Sequence, residues 1–200
     1  MKKAICLISP KFFNYIGGME THGFEFAKTY INDLDYPIIT IVTKKKVTDG
    51  IPAPKNNNHA DSKLFAKYLK PVLTGNFEKD AREILRFSSP NRTIYYLNSP
   101  TWLPSLAIIK KKYPKAKVIV RSGGNDIVAG WVGNETNTVM KLKDARQYIV
   151  QLINKYVDTL IVNSNYSLKK TLRLGVRKEK VVRIRGGVNC LTFFPSKRAS

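Results

Sequence analysis

Short continuous apolar runs alternate with stretches of helical spacing along most of the chain. Ala4 to Ser9 is an apolar run closed by Pro10, whereas Met19 to Leu34 carries apolar residues at Phe24, Ala27, Tyr30, Ile31 and Leu34. The first pattern predicts a strand and the second a helix. Ile38 to Thr43 is a second β-branched run, and Lys44 to Asp61, with Pro, Gly and three consecutive Asn, predicts an exposed loop. Helical spacing follows from about Ser62 to Tyr68 and from Phe77 to Phe87. Then come a strand at Thr93 to Leu97, a helix at Pro100 to Lys112 and a strand at Ala116 to Arg121. A helix from about Thr138 to Tyr156, a strand at Thr159 to Asn163, a helix from Tyr166 to Leu174 and a strand at Val181 to Ile184 complete the series. The strands are continuously apolar rather than alternating, the pattern of a parallel sheet covered on both faces. The expected fold class is α/β, a Rossmann-like doubly wound parallel sheet.

Composition narrows the setting. The chain has 200 residues, enough for one well-filled domain, and its longest apolar runs are far too short to cross a bilayer. Met1-Lys2-Lys3 and the apolar run after it imitate the start of a signal peptide, but Pro10 and Lys11 end the run without a small-residue cleavage site. The two cysteines, Cys6 and Cys190, form no metal-ligand spacing and no disulfide framework, which suits a reducing, cytoplasmic compartment. Charge is the strongest signal: 35 Lys and Arg against 14 Asp and Glu give a net charge of +21. Such a field attracts nucleic acid, anionic membranes and phosphorylated ligands alike, and the basic residues are spread along the chain rather than gathered in one arm.

In doubly wound sheets ligands bind beyond the carboxyl ends of the strands, so the residues just after each strand are the informative ones. Gly17-Gly18 precedes the first helix, where close backbone approach and free N–H groups suit a phosphate, although such a pair is more often simply a turn. His22 falls about one turn into that helix, near the glycines, where it can touch a substrate or serve a structural role. Arg121-Ser122-Gly123-Gly124-Asn125-Asp126 follows a strand and reads as a polar pocket wall, with Arg121 for a phosphate and Asp126 for a sugar hydroxyl, or as a turn with a capping Asp. Asn98-Ser99-Pro100 and Asn163-Ser164-Asn165 each close a strand and open a helix, and helix capping is the stronger reading for both. No Ser-His-Asp order, HExxH, CxxC or carboxylate array is present, and no metal site is expected.

These pieces come in a familiar order. Tyr15-Ile16-Gly17-Gly18-Met19-Glu20-Thr21-His22 with Phe24-Glu25-Phe26-Ala27 is similar to the opening of the group 1 (family four) retaining glycosyltransferases. Val157 to Ser167 resembles their strand and helix start of Asp, apolar strand, Asn or Thr, and Ser. Leu174-Gly175-Val176, Lys178 to Lys180, Val181-Val182-Arg183-Ile184, Gly187-Val188-Asn189 and Phe194-Pro195 resemble the elements that lead into the family's second domain. Gly186 stands where that family has Asn, Asn189 where it has Asp, and Gly123-Gly124-Asn125-Asp126 where it often has a His.

The resemblance implies the N-terminal half of a GT-B glycosyltransferase, with 1–195 as the acceptor-side domain and 196–200 as the start of a linker to a donor-binding domain absent from this sequence. It implies transfer from a nucleotide-sugar donor, used as co-substrate with no cofactor or metal, to a glycan or lipid-linked acceptor; the half alone would be inactive. Gly17 and Gly18 would approach the donor phosphates. His22, Asn98, Arg121, Gly124, Asn125, Asp126, Asn163 and Ser164 would surround the acceptor or the transferred sugar. The basic surface would then serve peripheral association with an anionic membrane. Two other readings fit parts of the sequence: a nonenzymatic basic α/β module holding nucleic acid or another polyanion, and a stand-alone nucleotide or flavin binder of the same fold. No RRM, KH or helix-turn-helix signature supports the former.

Overall fold

The computed structural model describes residues 3–10, 12, 18–32, 39–44, 65–123, 127 and 142–185. The strands are β1 (Ala4–Ile8), β2 (Ile39–Lys44), β3 (Leu69–Leu73), β4 (Thr93–Leu97), β5 (Lys117–Arg121), β6 (Thr159–Val162) and β7 (Val181–Arg183). The helices are α1 (Gly18–Asn32), α2 (Phe77–Arg86), α3 (Leu103–Lys112), α4 (Leu142–Tyr156) and α5 (Asn165–Arg173), with single 3-10 turns at Pro100–Trp102 and Lys178–Lys180. All seven strands pair in parallel in the order β3-β2-β1-β4-β5-β6-β7. This is the doubly wound, Rossmann-like order, in which the chain winds outward from β1 in one direction and then, from β4, in the other.

Successive side chains of a strand point to opposite faces, so each strand feeds two cores. Cys6, Ile8, Val42, Tyr95, Leu97, Val118, Val120, Leu160 and Val162 meet Ile84 of α2, Leu103 and Leu106 of α3, and Ile149 and Ile153 of α4. The intervening residues, Ile5, Leu7, Ile41, Ile94, Tyr96, Ile119 and Ile161, pack with Phe24, Phe26, Ala27 and Tyr30 of α1 and with Phe12 and Phe65. This second core is rich in aromatic rings: Phe65 meets Phe12 edge-on at 5.4 Å, and Phe26 stacks on Tyr96 at 4.3 Å. The continuous apolar strands of the sequence are thus strands buried on both faces.

One strand has no counterpart in the sequence reading. The expected helix ending near Tyr68 keeps helical geometry at Phe65 and Ala66 among the described residues, and Leu69-Lys70-Pro71-Val72-Leu73 follows as β3. Pro71 hides it, because proline cannot donate to a ladder and argues against a central strand. β3 lies at the end of the sheet order and pairs only with β2, a place where proline is tolerated.

Two side-chain knots fasten the sheet. Asp80, fully buried, accepts from Thr74 N at 2.8 Å, Thr74 Oγ1 at 2.8 Å, Gly75 N at 3.0 Å and Trp102 Nε1 at 2.9 Å, tying the turn after β3 to α2 and to the turn before α3. Gly75 makes that turn with φ of 88°, a left-handed conformation that favours glycine. At the amino ends of the interior strands β5 and β6, Asp158 accepts from Lys110 Nζ at 2.9 Å and from Val118 N at 2.8 Å, joining the entries of these strands to α3. Burial would raise the Asp158 pKa, but the Val118 N–H and Lys110 outweigh it and hold the carboxyl below its ordinary value of 3.8.

Candidate functional site

The sheet order reverses between β1 and β4, so the crevice beyond their carboxyl ends is where this topology receives ligands. Extending the strand alternation one step past the apolar rows gives Ser9 after Leu7, Asn98 after Tyr96, Arg121 after Ile119 and Asn163 after Ile161. A row of polar residues therefore caps the α1 face of the sheet at its carboxyl edge. The ladder continues far enough to fix it: Asn98 N donates to Ile8 O at 3.0 Å, Ser9 N to Val42 O at 3.0 Å and Ser122 N to Ile161 O at 2.9 Å.

Ser9 and Asn98 lie at the reversal itself, 1% and 2% exposed, with Asn98 Nδ2 donating to Ser9 Oγ at 3.4 Å. Gly23 of α1 lies directly over them. A Cβ there would stand 2.8 Å from Asn98 Nδ2 and 3.0 Å from Ser9 Oγ, so only glycine lets the first turns of α1 come this close to the strand ends. The adjacent residue, His22, reaches Tyr96, its Nε2 lying 2.9 Å from the phenolic oxygen, and its ring leans on Phe26 and Tyr96. Burial first, and the nearby Arg121 cation second, bring His22 down from 6.5 to about 4. Burial likewise pushes Tyr96 up to about 12, against the pull of Arg121 and with a contribution from Tyr30. At neutral pH both groups are uncharged hydrogen-bonding partners beside a fixed guanidinium.

The remaining expected residues divide. Ser164 is the N-cap of α5, accepting from Ser167 N at 3.0 Å, and Asn163 accepts from Ser167 Oγ at 3.2 Å, so both serve the start of that helix. Ser99 caps the turn at Pro100–Trp102, which frees Asn98 from capping and leaves it beneath Gly23 at the reversal. Gly18 is the first residue of α1, while Gly17, Gly124, Asn125 and Asp126 lie outside the described residues. The structure thus gathers His22, Asn98 and Arg121 around the reversal and adds Ser9, Gly23 and Tyr96, which the sequence reading did not single out. The signal for these three is relational: Gly23 is the neighbour of His22, Tyr96 is two residues before Asn98, and Ser9 directly follows β1, each on a face that only the register defines.

Among the described residues no group of His, Cys, Asp and Glu could hold a metal ion, and no helix is long and apolar enough to cross a membrane. Cys6 is buried in the core, which pushes its thiol up to about 12 and keeps it protonated.

No protein-family model matches this sequence, and no curated protein matches it. Solved structures do. The Anabaena protein HepE (Alr3699) in complex with UDP-glucose superposes with a TM-score of 0.62 at 16% identity, over 94% of this chain and 45% of HepE. Its complex with UDP and glucose gives 0.62, again at 16% identity and over 94% of this chain and 46% of HepE. The complex with UDP gives 0.60 at 16% identity, over 94% and 45%. The chain thus spans less than half the length of these structures. What is shared is the fold, a Rossmann-like α/β domain.

Proposed function

We propose that this chain is the acceptor-side half of a GT-B glycosyltransferase of the group 1 (family four) kind, transferring a sugar from a nucleotide-sugar donor to a glycan or lipid-linked acceptor. The observation that carries the reading is the fold shared, over 94% of this chain, with a protein whose crystal structure holds UDP-glucose. The ordered motifs from Val157 to Pro195 and the polar crevice at the sheet reversal support it. In this reading the crevice of Ser9, His22, Asn98 and Arg121 lies against the acceptor and the transferred sugar. Gly17 and Gly18, just before and at the start of α1, lie against the donor phosphates, where helix N–H groups favour an anion. Gly124, Asn125 and Asp126, which follow Arg121 in the sequence, contact the acceptor or transferred sugar in the same reading, and a second domain supplies the donor site, so the 200-residue chain alone turns nothing over.

A net charge of +21 gives the acceptor side a natural neighbour. Anionic lipid at a membrane surface contributes about 1 kcal/mol per nearby Lys or Arg, and lipid-linked acceptors lie there. Two experiments test these points. In the transferring protein, Asn98→Ala and Arg121→Ala are expected to raise the acceptor KM several-fold while leaving donor KM nearly unchanged; equal effects on both would place the crevice elsewhere. Sedimentation with anionic liposomes at low salt is expected to carry the chain down, and its absence would remove the membrane from the account.

A further inference from the structure

The pairing of His22 with Tyr96 leaves open which group supplies the hydrogen, and the surroundings decide it. The two atoms lie 2.9 Å apart, so one must donate and the other accept. Tyr96 is 5% exposed, and a buried phenol requires an acceptor for its hydrogen; among the described residues His22 Nε2 is the acceptor within reach. The charged group felt by both rings is Arg121, from the neighbouring strand β5, and Tyr30 of α1 is the other titratable neighbour of the phenol. A guanidinium attracts the lone pairs of the phenolic oxygen and repels its hydrogen, which turns the O–H away from Arg121. The same cation disfavours a second proton on the imidazole.

We infer that Tyr96 is a positioning residue for His22: its hydroxyl donates to Nε2, fixing the neutral ring with its hydrogen on Nδ1 and leaving Nδ1–H as the donor His22 offers at the reversal of the sheet. His22 then acts toward a ligand as a fixed hydrogen-bond donor, suited to a hydroxyl or phosphate oxygen, and not as an acid or base. That the ligand belongs to a transfer reaction rests on the function proposed above. The tautomer does not.

The test is therefore made first on the ligand-free 200-residue chain. Its two histidines, His22 and His59, are separated by the His59→Gln variant, and long-range proton–nitrogen NMR correlations on histidine-labelled protein report which ring nitrogen carries hydrogen. The expected result is Nδ1–H for His22 at neutral pH, with no titration of that ring above about pH 5 if its pKa lies near the low value that burial and Arg121 produce. Tyr96→Phe is expected to move the ring toward the Nε2–H form that a free imidazole prefers. Hydrogen on Nε2 in the unaltered protein overturns the inference outright, whether or not the variant folds; an unchanged tautomer in a folded Tyr96→Phe protein also overturns it.

The ligand-facing part is read in the transferring protein. Tyr96→Phe should raise KM by about two- to tenfold, the range of one neutral hydrogen bond, with little change in kcat. In a His22→Asn background, where the amide replaces Nδ1–H and nothing remains for Tyr96 to hold, the same change should cost nothing further. Full additivity of the two substitutions would assign Tyr96 a purely structural role. A protein that transfers no sugar but shows the Nδ1–H ring would sink the function and leave the positioning intact.

Discussion

His22 and Gly23 sit side by side in α1 and make opposite demands on the strand ends beneath them, one through a hydrogen bond and one through the absence of a side chain. Because His22 is neutral when folded and titrates near 4 instead of 6.5, the unfolded chain binds the extra proton between those values. Its contribution is therefore complete above 6.5 and is lost as the pH falls toward 4; after discounting for solvent at a part-exposed ring it amounts to about 1–2 kcal/mol. His22→Gln should flatten the stability profile across that window, measured by denaturant unfolding at a series of pH values, and an unchanged slope would contradict the burial of a neutral ring. Gly23→Ala sets a helix-propensity gain of about 1 kcal/mol against an overpacking cost of about 1–3 kcal/mol. With Asn98 and Ser9 both buried, the cost is expected to prevail by about 1 kcal/mol in thermal unfolding. The chain's letters alone flagged His22 and Asn98 but not Tyr96, whose role appears only when β4 and α1 are brought face to face. Ser164 was legible as a cap because an N-cap is a local interaction, settled within a few residues.

At the scale of elements, burial on both faces made β1, β4, β5 and β6 easy to read, since a parallel strand leaves an uninterrupted apolar run in the sequence. β3 escaped because an edge strand has weaker requirements and can carry Pro71. What holds β3 in place is equally nonlocal: Asp80, in the first turn of α2, collects hydrogen bonds from Thr74, Gly75 and Trp102. Asp80→Ala strands the buried Trp102 donor together with the part-buried donors of Thr74 and Gly75 and is expected to cost about 3–5 kcal/mol in chemical denaturation; a loss under 1 kcal/mol would show that this knot does not fasten the turn. The knot at Asp158 behaves differently because it is partly open to water. The depressed pKa of Asp158 means its stabilisation is present above the ordinary value of 3.8 and disappears as the pH falls through the folded value. Asp158→Asn should therefore cost about 1 kcal/mol at neutral pH, a cost that fades as the pH falls through the folded pKa of the unaltered carboxyl.

For the molecule as a whole, the seven parallel strands among the described residues end along one edge, and the order reverses there between β1 and β4, the place where this topology receives ligands. The sequence motifs from Val157 to Pro195 suggested a sugar-transferring family, and the superposition on HepE shows the fold without reporting on chemistry. Charge belongs to this scale too, because a net +21 is a property of the surface as a whole and not of one arm. A nucleic-acid module would use that charge directly, whereas a transferase half would use the crevice. The most direct measurement is sugar transfer and nucleotide release from a panel of nucleotide sugars, comparing the product of the full reading frame with the 200-residue chain. Turnover by the longer protein and none by the 200-residue chain is the predicted result. No turnover by either, together with tight, salt-sensitive nucleic-acid binding by the 200-residue chain, would contradict it.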